Sequence, residues 1–183
     1  MASNFSIRHA ARIVKNGGVI AYPTDTIYGL GCTPYDPDAI EQINVIKQRP
    51  LNKQFILLAA SLDQVRSLLS LDEAQAKKIT LITEPTSWVI DASEKAPSWL
   101  TSAERTLTIR ISKNNDVQRL CNALGHAIIS TSANISGATP AKNALELHRF
   151  FHQKVDKILI ANKPPTGKPS RIIRLRDNHI FRQ

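Results

Sequence analysis

The sequence predicts an α/β (α+β) fold in which helices flank a mixed parallel and antiparallel sheet. Short apolar runs typical of buried strands alternate with segments whose apolar residues recur at helical spacing. The closing strand-like runs are joined by short loops, which favours antiparallel pairing in part of the sheet. A length of 183 residues with 42% hydrophobic residues suits a single domain over 1–183 with a substantial core.

The predicted helices are recognised by apolar stripes and by signals at their ends. The stretch from Phe5 to Lys15 has one apolar face and is closed by Gly17-Gly18. Either Asp36 or Asp38 caps the second helix, and Pro50 ends it. The predicted helices span 5–15, 36–48, 62–82 with a break near 70–72, 116–124, and 140–152 with proline at its start.

The predicted strands are short runs of apolar and β-branched residues. Polar residues Thr24–Thr26 separate the first run, VIAYP, from the following IYGLGC. The run AIIST has the character of a buried strand and leads into a loop rich in hydroxyl groups. Strands are predicted over 19–23, 55–60, 87–92, 106–111, 127–131, 157–161, 171–175 and 179–181.

The charge of the chain is positive and uneven. The formal net charge is +9, from 24 basic and 15 acidic residues, and residues 142–183 carry +7 of it. Such an asymmetry indicates a polyanionic partner, either nucleic acid or a phosphorylated substrate, although a solvated basic face is the alternative. No apolar run approaches the roughly 20 residues that span a bilayer, and no secretory signal is recognisable. We therefore expect a cytoplasmic protein without membrane contact.

Several common sites are excluded by the absence of their motifs. Cys32 and Cys121 are far apart and lie in no metal-ligand spacing, so we expect two buried thiols and no protein metal site. Gly167-Lys168 is followed by proline, so no P-loop is present, and neither GxGxxG nor GxSxG occurs. A nucleotide would have to be bound by Lys, Arg and hydroxyl-bearing loops.

Three polar segments are the candidates for such binding. They are Thr24–Thr26, Lys47–Arg49 with Lys53 soon after, and Ser130–Asn134. Hydroxyl groups and a carboxylate suit a small zwitterion, while Arg and Lys suit a phosphate. Each segment also has a structural explanation: a hydrogen-bonded turn, cations at a helix C-terminus, and a helix-capping loop, respectively.

Taken together, the stretches AYPTDTIYGLGC, KQRP and STSANISG, in this order, resemble the YrdC-like family. That family pairs a KxR motif, here Lys47–Arg49, with an SxN motif, here Ser132–Asn134. The similarity runs from the first helix to the closing IFR. It implies a twisted mixed sheet around a basic concave surface, in the short, single-domain form of the family.

The resemblance also implies a reaction. L-threonine, bicarbonate and ATP would give threonylcarbamoyl-AMP and pyrophosphate, with Mg²⁺ bound through the phosphates of ATP. Partner proteins would use the product to modify the adenosine next to the anticodon of certain tRNAs, and the family is associated with RNA binding. Such chemistry needs cations on the polyphosphate and close positioning of two anions.

The residues implied for this site follow from the matched motifs. Lys47, Arg49, Ser132 and Asn134 would be the catalytic and ATP-binding residues, as the resemblance implies. Lys53 and Ser130 would adjoin the nucleotide. Thr24 would contact the threonine substrate, and Arg110 would hold its carboxylate with a forked pair of hydrogen bonds.

The sequence departs from the family in three places. Residues 84–87 keep only Pro85 of a PGPxT-like stretch, with Ser87 in place of a threonine. Gln54 follows Lys53, where relatives often have Gly or Pro, and 163–170 keeps only a Pro-Ser pair of the expected loop. Two alternatives to the synthase therefore stay open: an RNA-binding module without catalysis, and a paralogue acting on another substrate.

Overall fold

Helices and strands alternate along the chain in a computed structural model that describes residues 2–49, 54–160, 165 and 167–183. The α-helices among these residues are α1 (Asn4–Lys15), α2 (Pro37–Lys47), α3 (Glu73–Leu81), α4 (Asn115–Leu124) and α5 (Ala144–Phe151). The strands are β1 (Ile20–Pro23), β2 (Tyr28–Gly31), β3 (Ile56–Ala59), β4 (Thr86–Asp91), β5 (Thr106–Ile111), β6 (Ile128–Ser132), β7 (Lys157–Ile158), β8 (Arg171–Arg174) and β9 (Ile180–Arg182).

The described strands form one sheet in the order β7-β1-β2-β6-β3-β5-β4-β8-β9. The pairs β1–β7, β3–β5 and β4–β8 are parallel, and the other neighbours are antiparallel. The predicted mixed sheet is therefore confirmed. Consecutive strands are often not neighbours, so residues far apart in the sequence meet across the sheet.

Both faces of the sheet are covered by helices. Leu57 and Leu58 are neighbours on β3 but belong to two separate apolar clusters, because successive strand side chains point to opposite faces. One cluster contains the apolar faces of α1 and α4, and the other contains those of α2 and α3. Cys32 and Cys121 are buried in these clusters as free thiols, as expected.

The first part of the predicted 62–82 helix is wrong. Residues 62–64 and 66–68 form two short 3₁₀ turns, and only α3 is α-helical. Leu68 O accepts a hydrogen bond from Ser93 N, and Ser70 N donates to Asp91 O. In a continuous helix these backbone groups would bond to each other. Here they bond to residues at and just after the end of β4, and this tertiary contact outweighs the helical propensity of the segment.

The bounds of α5 and β7 also differ from the predictions, whereas the predicted cap of α2 is confirmed. Helix α5 begins at Ala144 with Asn143 as its cap, because Ala141 N donates to Ala133 O and keeps the residues after Pro140 on the loop that follows β6. Asp36 is the N-cap of α2, whereas Pro50, its predicted end, lies outside the described residues. Strand β7 has only two residues, and position 161 of its predicted range also lies outside the described part.

None of the described helices is long and apolar enough to cross a membrane.

Candidate active site

A cleft of about 790 Å³ opens on the sheet between the end of α2, the loop after β6, and strands β5, β8 and β9. Its volume falls in the range typical of small-molecule sites, roughly 300–1,000 Å³. Seven of the eight site residues predicted from the sequence line this cleft, and the eighth, Lys53, lies outside the described residues. The seven are Thr24, Lys47, Arg49, Arg110, Ser130, Ser132 and Asn134.

The end of α2 aims the KxR residues at this cleft. Gln48 adopts the left-handed conformation with φ of 50°, and Arg49 N donates to Asn44 O at 3.0 Å. This turn ends the helix directly after Lys47. Ser136 N donates a hydrogen bond to Lys47 O at 2.8 Å. This backbone contact joins the KxR segment to the loop after β6.

The ammonium group of Lys47 binds the SxN segment. Its Nζ lies 2.5 Å from Ser132 O, 2.8 Å from Asn134 O and 3.1 Å from Asn134 Oδ1. These three contacts are all to this one loop. Lys47 is also only 3% exposed. The geometry therefore adds a structural role, holding the SxN loop, to the phosphate contact that the sequence suggests.

Replacing Lys47 by methionine tests this structural role. Lys47→Met keeps most of the side-chain volume but leaves the carbonyl groups of Ser132 and Asn134 without their donor, at a cost of about 1–3 kcal/mol. We expect a lower melting temperature and faster amide hydrogen exchange in residues 132–138 of the ligand-free protein. Lys157→Met, at a partly exposed position on edge strand β7, is the matched control. Unchanged exchange in 132–138 would contradict the role.

Arg49 is held in place by three neighbours. Its Nη1 donates to Thr131 Oγ1 at 2.8 Å, its Nη2 donates to Gln54 O at 2.6 Å, and its guanidinium carbon lies 4.5 Å from the centroid of the Phe55 ring. Its Nε is buried and has no hydrogen-bond partner among the described residues. Burial also lowers the pKa of Arg49. A cation with unused hydrogen-bonding capacity in a cleft is suited to an anionic ligand.

Arg110 provides a second cation, on the floor of the cleft. It is 4% exposed and forms an ion pair with Asp25, its Nη2 lying 3.3 Å from Asp25 Oδ1. Its Nη1 donates to Thr26 Oγ1 at 3.2 Å. Burial lowers the pKa of Arg110, while the Asp25 carboxylate acts in the opposite direction. The polar turn 24–26 therefore meets Arg110 across the sheet, which the sequence did not indicate.

The Thr24 hydroxyl organises the same turn. Thr24 Oγ1 donates to Ile27 O at 2.7 Å and accepts from Thr26 N at 3.1 Å. The hydrogen-bonded turn predicted as the structural explanation of residues 24–26 is thus present. Thr24 also lines the cleft, so its proposed contact with substrate stays a prediction. Gly29, on β2, has Ser130 Oγ only 3.2 Å from the position of an added Cβ, so a larger residue at this position would crowd Ser130.

Sequence reasoning missed the wall formed by the last two strands. Arg174, Phe181 and Arg182 line the cleft, and Arg182 Nε donates to Ser170 O at 2.9 Å. Burial lowers the pKa of Arg182, and the charge of Arg110 lowers it further. The excess of positive charge in residues 142–183 was the available signal, but it could not identify which of ten cations face the cleft.

The lining of the cleft is strongly basic. Glu104 is the acidic residue among the described lining side chains, against five Lys and Arg residues. These five are Lys47, Arg49, Arg110, Arg174 and Arg182. The expected basic concave surface is present in the described part of the chain, and it suits a polyanionic ligand.

The atypical stretch 84–87 contacts a residue that lines the cleft. Ser87 is buried, and its Oγ lies 2.9 Å from Ser170 Oγ, which itself lines the cleft. Ser170 belongs to the Pro-Ser pair of the 163–170 segment, and Ser87 stands where relatives have a threonine. These two departures from the family pattern are therefore in contact. Positions 161–164 and 166 lie outside the described residues, so most of the 163–166 part of that loop is not described.

Comparison with known proteins decides the family. The Sua5/YciO/YrdC family model, described as telomere recombination, matches residues 12–183. The chain belongs to this family. A relative from Nitrosococcus oceani, named threonylcarbamoyl-AMP synthase, is 40% identical over 171 residues, which are 92% of each chain. The match confirms the family resemblance and covers both the KxR and the SxN motifs.

Solved structures of the Sua5/YciO/YrdC family share the fold. Escherichia coli YciO is 29% identical with a TM-score of 0.87, covering 99% of this chain and 90% of its own. P. abyssi Sua5 complexed with L-threonine is 27% identical with a TM-score of 0.86. The match covers 94% of this chain and 51% of that Sua5 chain, so this chain spans about half the length of that protein.

Proposed function

We propose that this protein is a threonylcarbamoyl-AMP synthase, which makes L-threonylcarbamoyladenylate and pyrophosphate from L-threonine, bicarbonate and ATP. The observation that carries the proposal is the direct contact between its two motifs: Lys47 of KxR binds Ser132 and Asn134 of SxN inside one basic cleft. Relatives that are 40–41% identical over 74–92% of this chain are named for this activity.

Groups that line the cleft are proposed for two of the substrates, threonine and ATP. Arg110, beside the turn that contains Thr24, would bind the carboxylate of L-threonine. Arg49, Ser130, Ser132 and Asn134 would form the ATP site with Lys47. Lys53, which lies outside the described residues, is proposed to belong to the same site. The amine of threonine would first attack the carbon of bicarbonate, and loss of water would leave an N-carboxylate (a carbamate). The resulting carbamate oxygen attacks the α-phosphorus of ATP, and pyrophosphate leaves.

The protein would accelerate this reaction by positioning and by charge. Two anions, a carbamate and a triphosphate, must meet, and the cations of the cleft reduce their mutual repulsion. No cluster of three or more His, Cys, Asp or Glu side chains suited to a metal ion exists among the described residues. Mg²⁺ accordingly enters the proposal as an ion bound through the phosphates, where it would neutralise part of their charge.

The cellular role is part of the same proposal. The product would pass, in the cytoplasm, to tRNA-modification partner proteins that form threonylcarbamoyladenosine next to the anticodon. The basic residues of the C-terminal third would give the protein affinity for tRNA or other RNA. Such affinity should fall steeply with salt, because RNA binding releases counterions.

Release of pyrophosphate from ATP tests the proposal. The purified protein is assayed with bicarbonate, with and without L-threonine, and with L-serine as the control amino acid. We expect release that requires both threonine and bicarbonate. ATP binding without such release would favour a paralogue with another substrate, while RNA binding without ATP binding would favour the RNA-binding module. Either result would overturn the synthase.

A further inference from the structure

Phe181 is a large aromatic residue that lines the cleft, and the chemistry proposed above does not use it. Its side chain remains 53% exposed although it belongs to strand β9. Most exposed aromatic side chains lie on the outer surface, as Phe5 does on α1. Phe181 instead shares the cavity with Arg49 and Ser132, from the proposed nucleotide site.

A β-bulge places Phe181 in the cleft. Arg182 pairs with Ile172 and Ile180 pairs with Ile173, so no residue of β8 lies opposite Phe181. In a regular strand Phe181 and Arg182 would point to opposite faces of the sheet. Here both line the same cavity. Bulges commonly re-aim a side chain in this way next to binding sites.

The neighbours of Phe181 hold its ring beside positive charge. The guanidinium carbon of Arg174 lies 5.6 Å from the centroid of the Phe181 ring. The ring of His179 meets it nearly perpendicularly, at 80° and 4.9 Å between centroids. An aromatic ring beside an arginine, half-exposed inside a basic cleft, is suited to a nucleobase attached to phosphates.

We propose that Phe181 is a stacking platform for the adenine of ATP. The inference rests on the proposed synthase function and assigns the nucleobase end of the same site. The phosphates would extend from the base toward Arg182 and the SxN loop. One bounded cavity of about 790 Å³ contains both the aromatic ring and the phosphate-binding candidates, which suits a single nucleotide.

Binding of ATP and of inorganic triphosphate, measured by calorimetry, tests the platform. The two ligands share the phosphate chain, but only ATP has a base to stack. We expect wild-type protein to bind ATP roughly tenfold more tightly than triphosphate. Phe181→Leu should remove most of this difference while leaving the Kd for triphosphate within about twofold, because the cations that would bind the phosphates are unchanged. Phe181→Trp should retain the preference for ATP.

A matched control and the contrary outcomes complete the test. Phe5→Leu replaces an exposed phenylalanine outside the cleft and should change neither Kd. Equal affinity of wild-type protein for ATP and triphosphate would contradict the proposed stacking on Phe181, but it would not contradict the proposed phosphate site. The same holds if Phe181→Leu weakens RNA binding and leaves ATP binding unchanged. Binding of neither ligand to wild-type protein would overturn the synthase proposal together with the platform.

Discussion

Arg49→Ala is expected to lower threonine-dependent pyrophosphate release by at least about 10²-fold, the effect typical of removing one group that stabilises developing charge. The guanidinium is held by Thr131 Oγ1 and Gln54 O and stacks on Phe55, so its orientation is set before substrate arrives. Steady-state rates at saturating ATP and threonine measure the loss. Arg49→Lys should restore little activity, because an ammonium cannot maintain both of these forked contacts.

The matched control for Arg49 is Arg66→Ala. Arg66 pairs with Glu73 on the surface at 3.0 Å and does not line the described cleft. We expect this variant to retain full activity, and both variants to remain folded by circular dichroism. Wild-type rates in folded Arg49→Ala would show that the nucleotide site has been assigned to the wrong residues.

The second large effect is expected at the buried pair of Asp25 and Arg110. Asp25→Ala should lower the free energy of unfolding by about 3 kcal/mol or more, because a guanidinium that is 4% exposed loses its carboxylate partner. Arg110→Met removes the cation itself and should also raise the KM for L-threonine. Denaturant unfolding and threonine-dependent kinetics measure the two effects separately.

A double-mutant cycle separates the pair from its surroundings. The double variant with Asp25→Ala and Arg110→Met should be destabilised by less than the two single changes together, because neither charge is then left buried alone. Glu73→Ala breaks an exposed pair, with Glu73 94% exposed, and should change stability little. Strict additivity in the cycle would show that the Asp25–Arg110 contact does not stabilise the fold.

Local patterns were sufficient for most of the elements but not for every boundary. The helical stripe of α1 and the apolar runs of β3 and β6 depend on neighbours in sequence, and their positions agree with the predictions to within a few residues. The segment 62–68 also has helical spacing. It forms 3₁₀ turns instead, since its backbone bonds to residues 91–93, about 25 positions away.

The candidate site shows the same division. The motifs KxR and SxN are short and local, and the resemblance they carry was visible in the sequence before any contact was known. The sequence could not indicate that the Lys47 ammonium is bonded to the SxN loop, 85 residues further along. Nor could it indicate that the Arg110 guanidinium meets Asp25, because both contacts depend on how non-consecutive strands pair.

By itself, the sequence determined the alternation of helices and strands, the family, and seven residues that now line one cleft. Only the tertiary structure decided which atoms of those residues are already bonded and which remain for a ligand. It alone added Arg174 on β8, and Phe181 and Arg182 on the bulged edge strand β9. The physical reason is that strand order depends on which non-consecutive strands pair over the whole chain, and no local pattern encodes that pairing.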